Sequence, residues 1–154
     1  MTITTDLVQE VFNTKIYPEL KEYVENHSIY EPTITKSKPS LSKIFPIIPV
    51  KLLPSQNEYG NLSYTQERFR FGIEIDVNTQ DKTVNNQKVS KRIICEELTS
   101  LIINYFKTNY RVTINVEPNA SITDETIHRA VIRVSGVIDT RYGYNLNELV
   151  IYPR

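Results

Sequence analysis

Hydrophobic and polar residues alternate most regularly between Arg68 and Asn78. Successive side chains of a β-strand point to opposite faces, so this stretch predicts a strand with one apolar face and one charged face. Such a pattern is typical of an antiparallel or mixed sheet that helices cover on one side only. We therefore take this strand as the centre of the predicted fold. Its apolar residues, at every second position, are Phe69, Phe71, Ile73, Ile75 and Val77.

A first stretch with helical spacing covers roughly residues 6–26. Asp6, followed three positions later by Gln9, is a pattern that caps the start of a helix. Pro18 interrupts the stretch because proline lacks an amide donor and disfavours helical angles at Tyr17. The pattern therefore predicts either one kinked helix or two short helices. The apolar stripe consists of Val8, Phe12, Ile16, Leu20, Tyr23 and Val24.

A second helix is predicted from Lys88 to about Lys107. Its apolar stripe should pack on the sheet. Cys95 lies within it, and a lone cysteine in a helix is more often a small packing residue than a nucleophile. The stripe consists of Ile94, Leu98, Leu101, Ile102 and Tyr105.

An apolar stretch at 44–53 predicts a further strand. Pro46 and Pro49 cannot donate hydrogen bonds to a neighbouring strand, so this strand should lie at an edge of the sheet or begin late. The residues that would share its core face are Ile48, Val50 and Leu52.

The carboxyl-terminal third of the chain predicts a short strand at 111–116, a long strand at about 125–140, and a short terminal segment at 149–152. Gly136 interrupts the alternation of the long strand, which indicates a bulge or a close approach of neighbouring backbone. The predicted core face of that strand consists of Ala130, Ile132, Val134 and Ile138.

The predicted fold is a single α+β domain over residues 1–154. It has a mixed or antiparallel sheet with two helices packed on one face. The predicted order is helix, strand, strand, helix, strand, strand. Long irregular loops are predicted at about 27–43 and 54–67, and a turn is predicted at 78–87. Loops of this length in a compact domain are often functional arms or disordered segments.

Composition and charge argue against several classes of function. Eighteen basic residues balance 18 acidic ones, and a net charge of zero argues against a general nucleic-acid or anionic-membrane binder. One cysteine excludes an internal disulfide framework. The amino terminus lacks a signal-peptide pattern, and no apolar run has transmembrane length. We therefore expect a soluble protein kept in the cytosol, unless it leaves the cell as part of a larger particle.

The sequence contains no phosphate loop, dinucleotide fingerprint or paired-cysteine metal site, so no cofactor is expected. Ser121, Asp124 and His128 lie close together along the chain, but a hydrolytic triad also requires spatial convergence and an oxyanion site. We predict no catalytic, cofactor-binding or metal-binding residues.

Arg129 and Arg133 are four residues apart on the predicted long strand, so they share its charged face at a separation of about 13 Å. Val131 lies between them, and Asp139 shares the face if no bulge intervenes. Two interpretations stay open. The arginines form weak pairs within the chain on a solvated face, or they pair between subunits and set register and partner choice.

The order of several segments resembles the small tail-terminator, or tail-completion, proteins of long-tailed, siphovirus-like bacteriophages. The resemblance spans about residues 44–152, and its most specific portion is 124–139. The segments that carry it are 45–51 (FPIIPVK), 71–77 (FGIEIDV), 91–98 (KRIICEEL), 124–139 (DETIHRAVIRVSGVID) and 150–152 (VIY).

The resemblance implies a ring, typically hexameric, on the head-proximal end of the tail tube. Such a ring ends tube polymerisation and offers a surface for joining the head, so the implied partners are further copies of the chain, the tail tube protein and the head–tail connector protein. The implied location is the virion, after assembly in the host cytoplasm. A different neck or connector component, or a monomeric adaptor, is the alternative, and an enzyme of unknown substrate is a remote one.

Under this hypothesis two sets of contact residues are predicted. The first would lie at the interface between subunits and consists of Arg129, Val131, Arg133 and Asp139. The second, from the 54–67 loop, would contact the tube or the connector and consists of Glu58, Tyr59 and Tyr64.

Overall fold

The structure, a computed structural model, describes residues 5–36, 44–58, 68–140 and 149–151. Its α-helices are α1 (Thr5–Val11), α2 (Tyr17–His27) and α3 (Lys91–Asn109). A π-helical turn, Phe12–Ile16, joins α1 to α2. The strands are β1 (Thr33–Thr35), β2 (Ile47–Glu58), β3 (Arg68–Thr79), β4 (Lys82–Val84), β5 (Gln87–Val89), β6 (Thr113–Glu117), β7 (His128–Thr140) and β8 (Leu149–Ile151).

The main sheet confirms the predicted α+β class and is mixed. Five of its strands lie in the order β1-β2-β3-β7-β6, which places β3 at the centre. β1 is parallel to β2, whereas the other neighbours are antiparallel. β3 pairs with β7 along its whole length, so β6 and β8 both lie on the other edge of β7, one after the other.

The helices cover the face of the sheet to which the predicted apolar residues point, which we call the inner face. On β3 these residues are Phe71, Ile73, Ile75 and Val77, and all are buried. Their neighbours on β7 are Ala130, Ile132 and Val134, which are buried as well. One hydrophobic core joins this face to the stripes of the helices, including Val8, Phe12, Ile16, Leu20, Val24, Ile94, Leu98 and Ile102.

The amino-terminal helical segment continues through Pro18 with a locally wider turn. The amide of Tyr17 donates to the carbonyl oxygen of Phe12, five residues earlier, and Pro18 lies in the first turn of α2. Proline lacks the amide donor that a continuous helix would use at this position, and the wider turn lies directly before it. With α1 and α2 counted separately, as in the predicted alternative of two short helices, the described residues contain three α-helices and not the two of the predicted fold.

α3 begins three residues later than predicted because residues 87–89 form β5. The hydroxyl of Ser90 accepts a hydrogen bond from the amide of Ile93 and caps the helix. The carboxylate of Asp81 accepts a second bond, from the amide of Lys91. Cys95 is buried in the core, as expected of a packing residue.

The predicted order of elements is wrong because three short strands were not expected. β1 lies within the predicted 27–43 loop, of which residues 37–43 are outside the described part. β4 and β5 form a hairpin inside the predicted 78–87 turn. Asn85 and Asn86 connect them with positive φ angles of 51° and 64°, as a two-residue type I′ turn requires.

β2 extends to Glu58, so the predicted loop starting at residue 54 is wrong up to that point; residues 59–67 are outside the described part. Pro54 is accommodated where the register between β2 and β3 shifts, between Leu53 and Gln56. β2 begins after Pro46, in agreement with a late start. β1 pairs with it only from Ile47 to Pro49.

Gly136 lies in an unbroken register, opposite Phe71, so the bulge alternative is wrong at this position. The close approach is real, but the neighbours are side chains. A Cβ atom on Gly136 would lie 2.9 Å from the ring of Phe71 and 3.1 Å from Cγ1 of Val112. The ring of Phe71 therefore occupies the space that a side chain at position 136 would need.

Candidate interaction surface

The face of the main sheet opposite the helices carries most of its charged residues, and we call it the outer face. None of its charged residues belongs to the hydrophobic core that the helices cover. By register its members include Ile47, Pro49, Lys51 and Leu53 on β2; Arg70, Gly72, Glu74, Asp76 and Asn78 on β3; Arg129, Val131, Arg133 and Ser135 on β7; and Thr113, Asn115 and Glu117 on β6.

Arg129 is held by two partners from its own chain. Its Nε donates to Oδ1 of Asp76 at 2.8 Å, and a terminal nitrogen donates to the carbonyl oxygen of Ser121 at 2.9 Å. The side chains of Arg129 and Asp76 are only 28% and 17% exposed. The hydrogen bond to Asp76 raises the pKa of the Arg129 guanidinium. This arginine is therefore fixed in place and largely committed within the chain.

Arg133 is held more loosely. Its Nε lies 3.5 Å from Oε2 of Glu74, and a terminal nitrogen lies 3.8 Å from Oε2 of Glu117. Its side chain is 50% exposed. Exposed pairs at such distances contribute between zero and about 1 kcal/mol because water screens them. The guanidinium can therefore exchange these carboxylates for those of a partner at little cost.

Val131 is 1% exposed although it lies on the outer face. Its neighbours across the strands are Asp76 and Glu117, and its neighbours along β7 on the same face are Arg129 and Arg133. At 1% exposure it offers no accessible surface to a partner in this arrangement.

The other predicted contact residues are only partly described. The register of β3 and β7 runs unshifted from Arg133 to Asp139, whose backbone lies opposite Arg68 and Val150, but its side chain is outside the described part. Glu58 ends β2 opposite Arg68, and its side chain is likewise not described. Tyr59 and Tyr64 lie outside the described residues, so their roles stay predictions.

The residues that resemble a hydrolytic triad are engaged separately. The carboxylate of Asp124 accepts hydrogen bonds from the amide and the hydroxyl of Thr126, which lower the pKa of Asp124. Ser121 offers its main-chain carbonyl to Arg129. Among the described residues, no hydrogen bond joins the side chains of Ser121, Asp124 and His128.

The described part of the chain contains no candidate for a metal site and no activated cysteine. No group of three or more histidine, cysteine or acidic side chains there could hold a metal ion. Burial raises the pKa of the Cys95 thiol, which is the direction expected of a packing residue and the opposite of that of an activated nucleophile. No helix in the same ranges is long and apolar enough to cross a membrane.

Sequence reasoning placed the arginines on one face but missed their acidic partners. Glu74 and Asp76 were recognised only as charges on the polar side of the central strand. The missing information was the register between β3 and β7. It places Glu74 opposite Arg133, and it places Asp76 opposite Val131, two residues along β7 from Arg129. One sequence signal could have found these pairs. Acidic residues recur at every second position of β3, and basic residues recur at every fourth position of β7.

The comparisons with known proteins do not narrow the assignment further. The chain matches no family model, and no curated protein is significantly similar to it. The outer face and the resemblance of the sequence segments are therefore the basis for assigning a function.

Proposed function

We propose that this protein is a structural subunit of a bacteriophage tail that resembles tail terminators. Copies of it form a ring, of six in the typical case, on the head-proximal end of the tail tube. The ring ends tube polymerisation and offers the surface to which the head connector binds. The proposal involves no catalysis and no cofactor.

The observation that carries the proposal is the outer face, an extended sheet surface of mixed charge that no helix of the described residues covers. Antiparallel and mixed sheets can leave one face to water, but this one holds carboxylates and guanidinium groups on adjacent strands. A pattern of charges of both signs favours a protein partner of complementary pattern over nucleic acid, which would require a basic excess.

A ring requires heterologous contacts, in which one surface of a subunit meets a different surface of the next. Of the predicted interface residues on the outer face, Arg133 is best suited to such a contact. Its side chain is half exposed and its intrachain distances are 3.5 Å and 3.8 Å. Arg129 has shorter bonds to Asp76 and Ser121, and Val131 is covered.

The charge reversal Arg133→Glu tests this contact. We expect it to weaken ring formation, measured as mass in solution across a concentration series, while the fold is kept. Arg92→Glu is a matched control because Arg92 is also exposed and pairs with a carboxylate, that of Glu96 at 3.3 Å, but lies on α3. If Arg133→Glu still forms the ring, the assignment of Arg133 to the interface is wrong.

The function itself is tested in a phage that lacks the gene for this chain. If the protein ends tube polymerisation, we expect tail tubes of uncontrolled, excessive length by electron microscopy. Tails of normal length that fail to join heads would instead favour the alternative, a connector component or monomeric adaptor. Normal, joined tails would contradict both.

A further inference from the structure

The main sheet has two open edges of different character within the described residues. On one side, β1 covers β2 only from Ile47 to Pro49, so the edge of β2 from Val50 onwards has no described partner strand. On the other side, β6 pairs only with β7. Unpaired strand edges present rows of free backbone donors and acceptors that can bind another strand.

The inner sides of these two edges are apolar and incompletely covered. Val116 on β6 is 38% exposed, although it belongs to the inner face. Beneath it, between β6 and α3, lies a cleft of about 510 Å³ whose lining includes Cys95, Val116 and Ala130. Leu52 on β2, also on the inner face, is only partly buried against the core. Each edge therefore leaves apolar surface that an added strand would cover.

The outer sides of the two edges carry opposite charges. Lys51 on β2 is exposed, and Glu117 on β6 is 54% exposed with only a long contact of 3.8 Å to Arg133. Lys51 precedes Leu52 and Glu117 follows Val116. In an antiparallel pair, placing Leu52 opposite Val116 therefore also places Lys51 opposite Glu117. Both matches occur in a single register.

The strand directions allow this arrangement. β2, β3, β7 and β6 are antiparallel in succession, so β2 and β6 of one subunit run in opposite directions. If a neighbouring copy continues the same sheet, its β2 meets β6 antiparallel and its helices stay on the inner side. A heterologous contact repeated in this way closes into a ring when the rotation allows.

We infer that β6 of one copy pairs antiparallel with the open edge of β2 in the next copy, with Val116 opposite Leu52 and Glu117 opposite Lys51. The inference rests on the proposed self-assembly and adds the strand edges to its interface; Arg133 adjoins this edge through its partner Glu117 on β6. The inward side chains of the added strand would cover Val116 and close the cleft against α3. The outer faces of adjacent copies would form one continuous surface.

Disulfide cross-linking tests the register directly. The variant Leu52→Cys with Val116→Cys is made in a Cys95→Ala background, because Cys95 lines the same cleft as Val116. Within one subunit β3 and β7 separate the two positions, so at the usual strand spacing they are more than about 14 Å apart. That exceeds the reach of a disulfide, so every bond formed between them joins two copies.

Mild oxidation of the double variant should give a ladder of covalent oligomers on a denaturing gel. A mixture of the two single variants should stop at the covalent dimer, because each copy then has only one reactive position. Lys51→Cys with Val116→Cys is the matched control and should not cross-link, since these side chains point to opposite faces.

Charge reversal gives an independent measurement. Lys51→Glu should raise the concentration needed for assembly, and adding Glu117→Lys should lower it again. A double variant no better than the worse single variant would contradict the pairing of these charges.

The possible failures are distinguishable. A ring that forms without the 52–116 cross-link overturns the edge pairing but leaves the proposed function intact. A cross-linked ladder from a protein whose loss leaves tail length normal supports the edge pairing and contradicts the proposed function. A monomer that never cross-links overturns the edge pairing, and Lys51 and Pro54 are then residues that protect an edge from association.

Discussion

The two faces of β3 differ in burial and in the kind of contact that their side chains make. On the inner face Ile73, Ile75 and Val77 are completely buried against the helices. On the outer face the alternating residues Glu74 and Asp76 stay 29% and 17% exposed, and their partners are arginines of β7. At β3 the inner face is fully covered by the chain's own residues, so it should determine stability. The outer face is held by weaker interactions and should determine association.

The largest expected effect is the loss of a core side chain. Ile75→Ala should lower the free energy of unfolding by about 2–5 kcal/mol, because it leaves a cavity that the packed core cannot close. Chemical denaturation measures the change. Glu74→Ala, at the adjacent position of the outer face, is the control and should cost less than about 1 kcal/mol. Equal losses at the two positions would contradict the division between the faces.

A smaller effect is expected from overpacking the inner face. Gly136→Ala would bring a Cβ atom to 2.9 Å from the buried ring of Phe71, and we expect a loss of about 1–3 kcal/mol. Gly72→Ala is a matched control on the outer face. Its closest neighbour would be Cδ1 of Leu53 at 3.2 Å, the end of a side chain that can move. Thermal unfolding that ranks Gly72→Ala as the more harmful would contradict this packing.

The two arginines of the outer face should contribute unequally to the free energy of unfolding. Arg129→Ala removes a partly buried bond of 2.8 Å to Asp76 and should cost about 1–2 kcal/mol. Arg133→Ala removes only longer, exposed contacts and should cost less than about 0.5 kcal/mol. A greater loss of stability from Arg133→Ala would show that this arginine has a structural role and is not available to a partner.

An effect no larger than that of Arg129→Ala is expected from a polar contact beside the helices, and it depends on pH. Burial, followed by the hydrogen bond that its hydroxyl donates to Glu97, raises the pKa of Tyr30 to about 12 from 10. The unfolded chain therefore loses this proton first, so the stabilisation is complete below pH 10 and is lost as the pH rises towards 12. Tyr30→Phe should cost about 1 kcal/mol near neutral pH.

Denaturation at neutral and at alkaline pH checks this prediction. The difference between the original chain and Tyr30→Phe should shrink as the pH rises past 10. Tyr23→Phe is a control for removing a hydroxyl, since Tyr23 accepts a bond from the exposed side chain of Asn104. A difference that grows with pH would contradict the direction of the Tyr30 shift.

The inner face was predictable from the sequence because burial leaves a direct mark on it. Alternation in Arg68–Thr79 and His128–Thr140 identified the strands, and spacing identified both helical stretches. β1 was missed because three residues carry no periodicity, and it forms through its parallel pairing with β2. The hairpin of β4 and β5 was missed because its turn uses two asparagines and no glycine.

The outer face was predictable only in part. Strand alternation placed Arg129, Val131 and Arg133 on one face, but alternation does not reveal which strand lies alongside. The acidic partners Asp76, Glu74 and Glu117 follow from the register of β7 with β3 and β6. That register comes from the packing of the whole sheet, so no local pattern near the arginines contains it.

The π-helical turn at Phe12–Ile16 corrects the phase of the amino-terminal helix. The buried residues Val8, Phe12, Ile16, Leu20 and Val24 recur every four positions, and at 100° per residue a regular α-helix would rotate them by about 160° from first to last. A π-helical turn holds one residue more than an α-helical turn. Removing that residue from the count reduces the rotation to about 60°, so one stripe faces the core throughout.

Deleting exposed Thr14 should therefore restore an α-helical turn and keep the stripe in phase. A deletion elsewhere in the helix would rotate half of the stripe out of the core.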